Sequence, residues 1–240
     1  LLQLVAEHFL SRMYYLILKD KLNILIGGSQ CEFYENEFLL NIGCKLHKAS
    51  SWDYSNWKYY QAEITSPVVG NYAVHLDSAS PGFLHDSVFQ NSKVLVTSDR
   101  WYPYLNKLFD EVEREFTDRV IVSAHPKVKI GDYPEYYEGR RNFQTHSNKL
   151  MTMSLVSECE FVITFCSAAV AFAVIYRKPI LFVTSDQFES YPPERRKNWK
   201  FTRECLSSSA INIDNFTINE ISDQLHVDEN AYDEYLQSFL

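Results

Sequence analysis

The apolar positions of this chain fall into two kinds of run, and their order along the sequence predicts the fold. Short β-branched runs that are apolar at nearly every position suit strands covered on both faces. They occur at Tyr72 to Leu76, Val120 to Ala124, Phe161 to Thr164, Ile180 to Val183 and Ala210 to Ile213. Between them, Trp101, Leu105, Leu108, Phe109, Val112 and Phe116 mark one face of a helix capped by Ser98 or Asp99. Ala168 to Tyr176 reads as a buried helix stopped at Lys178-Pro179, since proline disfavours helical backbone in the residue before it. Pro192 to Leu206 reads as a helix carrying Arg195, Arg196, Lys197, Lys200 and Arg203. Thr217 and Glu220 have the spacing of a capping box, and the tail from Ala231 to Leu240, with Tyr232, Tyr235 and Phe239, has a helical apolar face that packs back on the domain.

Strand, helix and strand with short connections specify right-handed parallel βαβ units. The predicted class is therefore α/β, a Rossmann-like parallel sheet flanked by helices over residues 67–240, preceded by a partial α/β segment over residues 1–66. In that segment Leu4, Val5, Phe9, Met13, Leu16 and Ile17 suggest a helix, and Leu22 to Ile26 a strand ending at Gly27-Gly28-Ser29. The glycine pair reads as a tight turn, because it lacks the full GxGxxG pattern and the lysine of a P-loop. Trp52, Tyr54, Trp57, Tyr59 and Tyr60 form an aromatic cluster that either packs a satellite core or stacks a sugar. A chain opening on Leu1 reads as part of a longer protein, with residues 1–66 the remainder of an acceptor-side domain.

Charge narrows the partners. A net charge of −8 argues against a general nucleic-acid binder, which needs a basic surface to displace counterions. No apolar run approaches the roughly 20 residues of a membrane span, and no signal peptide is visible. The five cysteines are odd in number and form no CxxC pair, so neither a zinc site nor a disulfide framework is expected. A reducing, cytoplasmic setting follows.

Candidate chemistry gathers where the strands end, because ligands of such sheets bind beyond the carboxyl ends of the strands. His125-Pro126 ends one strand, Ser167 separates another from its helix, and Ser185-Asp186 follows a third. An imidazole titrates near neutrality and can give a proton to a departing phosphate; it can equally be a histidine hydrogen-bonded at a strand end. Ser167 reads as a phosphate contact at a helix start or as an ordinary N-cap. Asp77 and Asp86 are carboxylates of a cleft-facing loop, available as base, nucleophile or turn residue. Arg140 and Arg141 either reach an anionic ligand or sit on the surface, and Cys166, with no base beside it, reads as a structural thiol. The basic helix is either solvated or turned toward an anionic lipid-linked acceptor at the membrane.

Residues 72–189 resemble the C-terminal Rossmann domain of bacterial GT-B glycosyltransferases of capsular polysaccharide and lipopolysaccharide biosynthesis, especially the sialyltransferase-like and Kdo-transferase-like enzymes that use CMP-activated sugars. The resemblance lies in His125-Pro126, in Phe165-Cys166-Ser167-Ala168, in Ala171-Phe172-Ala173-Val174 and in Lys178-Pro179-Ile180-Leu181-Phe182. It implies that His125 contacts or protonates the departing nucleotide phosphate while Ser167 holds it, with Pro126, Ala168 and Arg140 at the donor site and His125, Asp77 and Asp86 as the candidate catalytic groups. Ala168 stands where the family usually has a second hydroxyl residue, and no equivalent of the family's acidic base is evident.

The resemblance implies a glycosyltransferase that takes a nucleotide-sugar donor, a CMP-sugar by preference, and a glycan or glycolipid acceptor. No metal or other cofactor is expected, and the setting is cytoplasmic, with peripheral contact at the inner face of the membrane. Two alternatives stay open, a nucleotide-sugar epimerase on the same scaffold and a non-catalytic nucleotide-sugar-binding subunit of a polysaccharide-assembly complex.

Overall fold

The computed structural model describes residues 23–27, 45–78, 95–126, 136–144 and 150–239. The helix expected near the N-terminus, the Gly28-Ser29 turn and the loop containing Asp86 lie outside these residues.

Strand β1 (Asn23–Gly27) pairs in parallel with β2 (Lys45–Ala49), and helix α1 (Trp52–Tyr60) follows. The main sheet begins at β3 (Ala73–Leu76). Helix α2 (Ser98–Glu115) leads to β4 (Val120–Ala124), and β5 (Asn142–Gln144) leads through α3 (Met151–Glu158) to β6 (Val162–Thr164). Helix α4 (Val170–Ile175), strand β7 (Ile180–Thr184), helices α5 (Asp186–Glu189) and α6 (Pro193–Cys205), strand β8 (Ala210–Asn212) and helices α7 (Ile218–Gln224) and α8 (Glu229–Phe239) complete the order.

The six strands from β3 to β8 form one all-parallel sheet in the order β5-β4-β3-β6-β7-β8. The chain builds outward from β3 in one direction, then returns to its other side at β6. That reversal opens a crevice at the carboxyl ends of β3 and β6.

Burial on both faces explains the continuous apolar runs. Along β7, Ile180 and Phe182 pack with the layer of α3, α4 and α8, while Leu181 and Val183 pack with the layer of α2, α5 and α7. Strand β4 alternates in the same way, with Ile121 on the first side and Val120 and Val122 on the second. The predicted apolar face of α2 is the buried one. Its N-cap, however, is Thr97 rather than Ser98 or Asp99, and both of those lie inside the first turn. There the Asp99 carboxylate complements the positive helix end without capping it.

At α7 the Thr217 hydroxyl accepts from the Glu220 amide at 3.3 Å and the Glu220 carboxylate accepts from the Thr217 amide at 2.7 Å, the reciprocal box that the sequence suggests. Helix α8 docks as its apolar spacing predicts, burying Tyr232 and Tyr235. The Tyr232 phenol donates to the Lys178 carbonyl at 2.9 Å, and Arg177 pairs with Glu229 and Asp233. No helix among the described residues is long and apolar enough to cross a membrane.

The middle of β3 breaks the apolar rule. His75 in β3 is 3% exposed, sits against the rings of Phe109 and Tyr137, and leaves Nδ1 buried without a hydrogen-bond partner. Burial pulls its pKa from 6.5 down to about 4, against the opposing pull of the nearby Asp77 and of a hydrogen bond to the Ile163 backbone. The unfolded chain takes up a proton below pH 6.5 that the native fold does not accept until about pH 4. Stability conferred by the neutral ring is complete above the upper value and falls as the pH drops through that window, by up to about 3 kcal/mol. Urea titrations from pH 7 to pH 4 are expected to show this loss. A His75→Gln variant, weaker at neutral pH, is expected to lack this contribution to the slope.

Candidate functional site

A cleft of about 390 Å³ lies over the crevice, and Leu76, Asp77, Ser123, His125, Ser167 and Phe172 are among the residues lining it. Its volume falls in the range of about 300–1,000 Å³ usual for small-molecule sites. Strands β3 and β4 deliver Asp77 and His125 at adjacent carboxyl ends, and the turn after β6 delivers Ser167.

Asp77 is 5% exposed and acts as a clamp. Its carboxylate accepts the His125 backbone N–H at 3.1 Å and the phenolic proton of Tyr137. Burial pushes the Tyr137 phenol well above its usual range, and the Asp77 charge adds to the effect, so Tyr137 remains a donor. Asp77 thereby fixes the backbone from which the half-buried His125 projects. Beside it, the Ser123 and Thr152 hydroxyls, 2.8 Å apart, join β4 to α3 at the cleft wall.

The turn into α4 absorbs several of its own donors. The Ser167 amide donates to Thr164 Oγ1 at 3.3 Å, the Ala169 amide donates to Ser167 Oγ at 3.3 Å, and Thr164 Oγ1 donates across to the Leu76 carbonyl at 3.1 Å. Ser167 is thus two residues before the actual N-cap, Ala169, in a side-chain-closed turn. With Oγ accepting from Ala169, its O–H proton is left to donate into the cleft. Ala168 is exposed beside the cleft and is not among its lining residues.

Of the other anticipated residues, Pro126 lines the cleft and Asp86 lies outside the described residues. Arg140 stands elsewhere. Its side chain is 9% exposed and makes ion pairs with Asp110 and Glu113, a hydrogen bond to Asn106 at 3.2 Å, and a contact over the Phe109 ring. Burial pushes the Cys166 thiol up to about 12, which leaves it protonated and unsuited to nucleophilic attack. On the basic helix, Arg196 and Lys200 both close on Glu189, at 2.7 and 3.0 Å, so part of its charge is neutralised within the fold. Among the described residues no group of three His, Cys, Asp or Glu side chains is placed to hold a metal ion.

A further wall comes from α1, whose aromatic cluster the sequence marks as either a satellite core or a sugar platform without pointing to Asp53 or Asn56. Ser51 caps this helix, its hydroxyl accepting from the Tyr54 amide at 3.0 Å. Asp53, Asn56, Trp57 and Tyr60 share one helical face by their spacing. Trp57 and Tyr60, at the C-terminal end of that face, pack against the core layer that contains α4. Asp53 and Asn56, at its N-terminal end, line the cleft together with Trp52, which is 73% exposed. The available signal was Asp53 at i, i+4 and i+7 spacing from two anchoring aromatics, directly behind a capping serine.

Burial raises the Asp53 pKa from 3.8 to about 6, and no described residue offers its carboxylate a hydrogen bond or a countercharge. No protein-family model and no curated protein matches this chain.

Two stability measurements follow. Arg140→Met is expected to cost about 2 kcal/mol, less than the 3–5 of a fully buried pair because its partners are partly exposed, while leaving ligand affinity at the cleft unchanged in the folded protein. Asp53→Asn is expected to raise the melting temperature at pH 7.5. The folded-state pKa of Asp53 is raised, so its favourable contribution is complete below pH 3.8 and lost as the pH rises through about 6. The gain from the amide is therefore expected to vanish near pH 4.

Proposed function

We propose that this chain is the donor-binding part of a GT-B glycosyltransferase that moves a sugar from a nucleotide donor, a CMP-sugar by preference, to a bacterial surface glycan or glycolipid. The observation that carries this reading is the meeting of His125, Asp77 and Ser167 in one cleft at the strand-order reversal. Departure of a nucleotide leaves negative charge on its phosphate, and catalysis of that step requires donors aimed at it. The His125 imidazole and the Ser167 hydroxyl are two such groups at the same sheet edge. Asp77 holds the His125 backbone in place through its amide. The reading locates the enzyme in the cytoplasm, where nucleotide sugars are available, with the acceptor presented at the inner face of the membrane.

The test is a thermal-shift panel of CMP, UDP and GDP at millimolar concentration. CMP is expected to raise the melting temperature most, with stabilisation growing as the logarithm of ligand concentration above Kd. His125→Ala is expected to reduce the shift and to lower sugar transfer from a CMP-sugar by about 10²- to 10⁴-fold, the usual weight of one acid–base group. A flat response to all three nucleotides removes the donor-site reading.

A further inference from the structure

The cleft contains two carboxylates in opposite circumstances. Asp77 is engaged by the His125 amide and the Tyr137 phenol. Asp53 enters from α1, a separate element, and no described residue hydrogen-bonds or ion-pairs with it. An unpaired carboxylate drawn out of water is costly to retain for structural reasons alone. Its helix does not need it as a cap, since Ser51 fills that role. Nor does α1 need it as an anchor, because Trp57 and Tyr60 make the contact with the core.

We propose that Asp53 is a catalytic residue, the acid–base group that accepts the proton of the attacking hydroxyl in the cleft. The proposal rests on the glycosyltransferase reading and adds to it a general base and the element that carries it. In the step, the acceptor oxygen forms a bond to the anomeric carbon as the bond from that carbon to the donor phosphate oxygen breaks. The bonding electron pair leaves on the nucleotide phosphate, which His125 and Ser167 hydrogen-bond, and the hydroxyl proton passes to the Asp53 carboxylate. With a pKa near 6, Asp53 is mostly ionised at neutral pH yet far more basic than an exposed aspartate, which suits it to this role. The groups facing the same cleft that bear on its titration are Asp77 and His125 from the sheet, with Asn56 from its own helix and Thr152 from α3 as neutral neighbours. The exposed Trp52, one residue away at the cleft edge, offers a ring face to the sugar brought to this base.

The test measures CMP binding by thermal shift and CMP release from a CMP-sugar, with and without acceptor, from pH 5 to pH 8 in wild type, Asp53→Asn and Asp53→Glu. Wild type is expected to show a kcat/KM profile falling below about pH 6. Asp53→Asn is expected to keep CMP binding within about threefold, to lose about 10²- to 10⁴-fold in kcat and to lose that acid limb, with partial recovery in Asp53→Glu. Retention of the wild-type rate and acid limb by Asp53→Asn overturns the assignment and leaves the donor-site reading intact. Nucleotide binding without turnover in wild type also overturns it and reduces the protein to a binding subunit. If wild type binds no nucleotide, the donor-site reading falls and the assignment with it.

Discussion

Coverage of the sheet on both faces is the constraint from which the rest of the structure follows. Helical layers on either side leave water no access to the middle of β3, β4, β6 or β7, so a polar side chain there must be satisfied internally. Apart from His75 in the middle of β3, whose Nδ1 goes unsatisfied, the buried polar residues of these strands sit at or beside the carboxyl ends. They are Asp77 after β3, Ser123 in β4, Thr164 in β6, and Thr184 and Ser185 at the end of β7. Each has a partner supplied by a neighbouring element. Ser123 meets Thr152, Thr164 donates to the Leu76 carbonyl, Thr184 donates to Glu189, and Ser185 accepts from the Phe188 amide. The functional edge of this fold is where the core can tolerate polarity, and the strand-order reversal makes room for a ligand at that edge.

The two cleft carboxylates show how the same side chain acquires different chemistry from its surroundings. At Asp77 the surrounding donors make the group an anchor for His125. Desolvation without donors favours the protonated form, and Asp53 shows that effect in nearly isolated form. Its position in the first turn of α1 favours the charged form through the helix dipole, yet burial dominates. The cost is borne by α1, which buries no residue completely and is fixed by Trp57 and Tyr60.

Most of the sheet was legible because its signal is local. A strand buried on both faces needs an apolar side chain at nearly every position, and β4, β6 and β7 each show that run. The capping box at Thr217 is equally local. Strand β5 escaped notice because Asn142-Phe143-Gln144 is three residues long and lies at the sheet edge, where polar residues are tolerated. Helix α3 escaped notice because its buried positions, Met153 to Val156, are consecutive and show no amphipathic stripe. His125, Asp77 and Ser167 could be placed at one edge by topology alone. Arg140 could not be placed, because nothing in Glu138 to Arg141 announces that its partners lie on α2, some 27 to 34 residues earlier in the chain.

Asp53 and His75 mark the limit of such reading, since both owe their properties to packing between residues distant in sequence. His75 lies in a strand whose other residues are apolar, and its register partner Ile163 becomes known only once β6 is placed beside β3. The neutral ring is held there by Phe109 from α2 and by Tyr137, the same tyrosine that donates to Asp77. Through Tyr137 the interior of the sheet and the wall of the cleft share a support. Direct contacts run from His75 through Tyr137 to Asp77 and from there to the His125 backbone. Burial of this histidine is therefore both a stability liability in acid and part of the packing around Tyr137, the residue that supports Asp77 at the cleft wall.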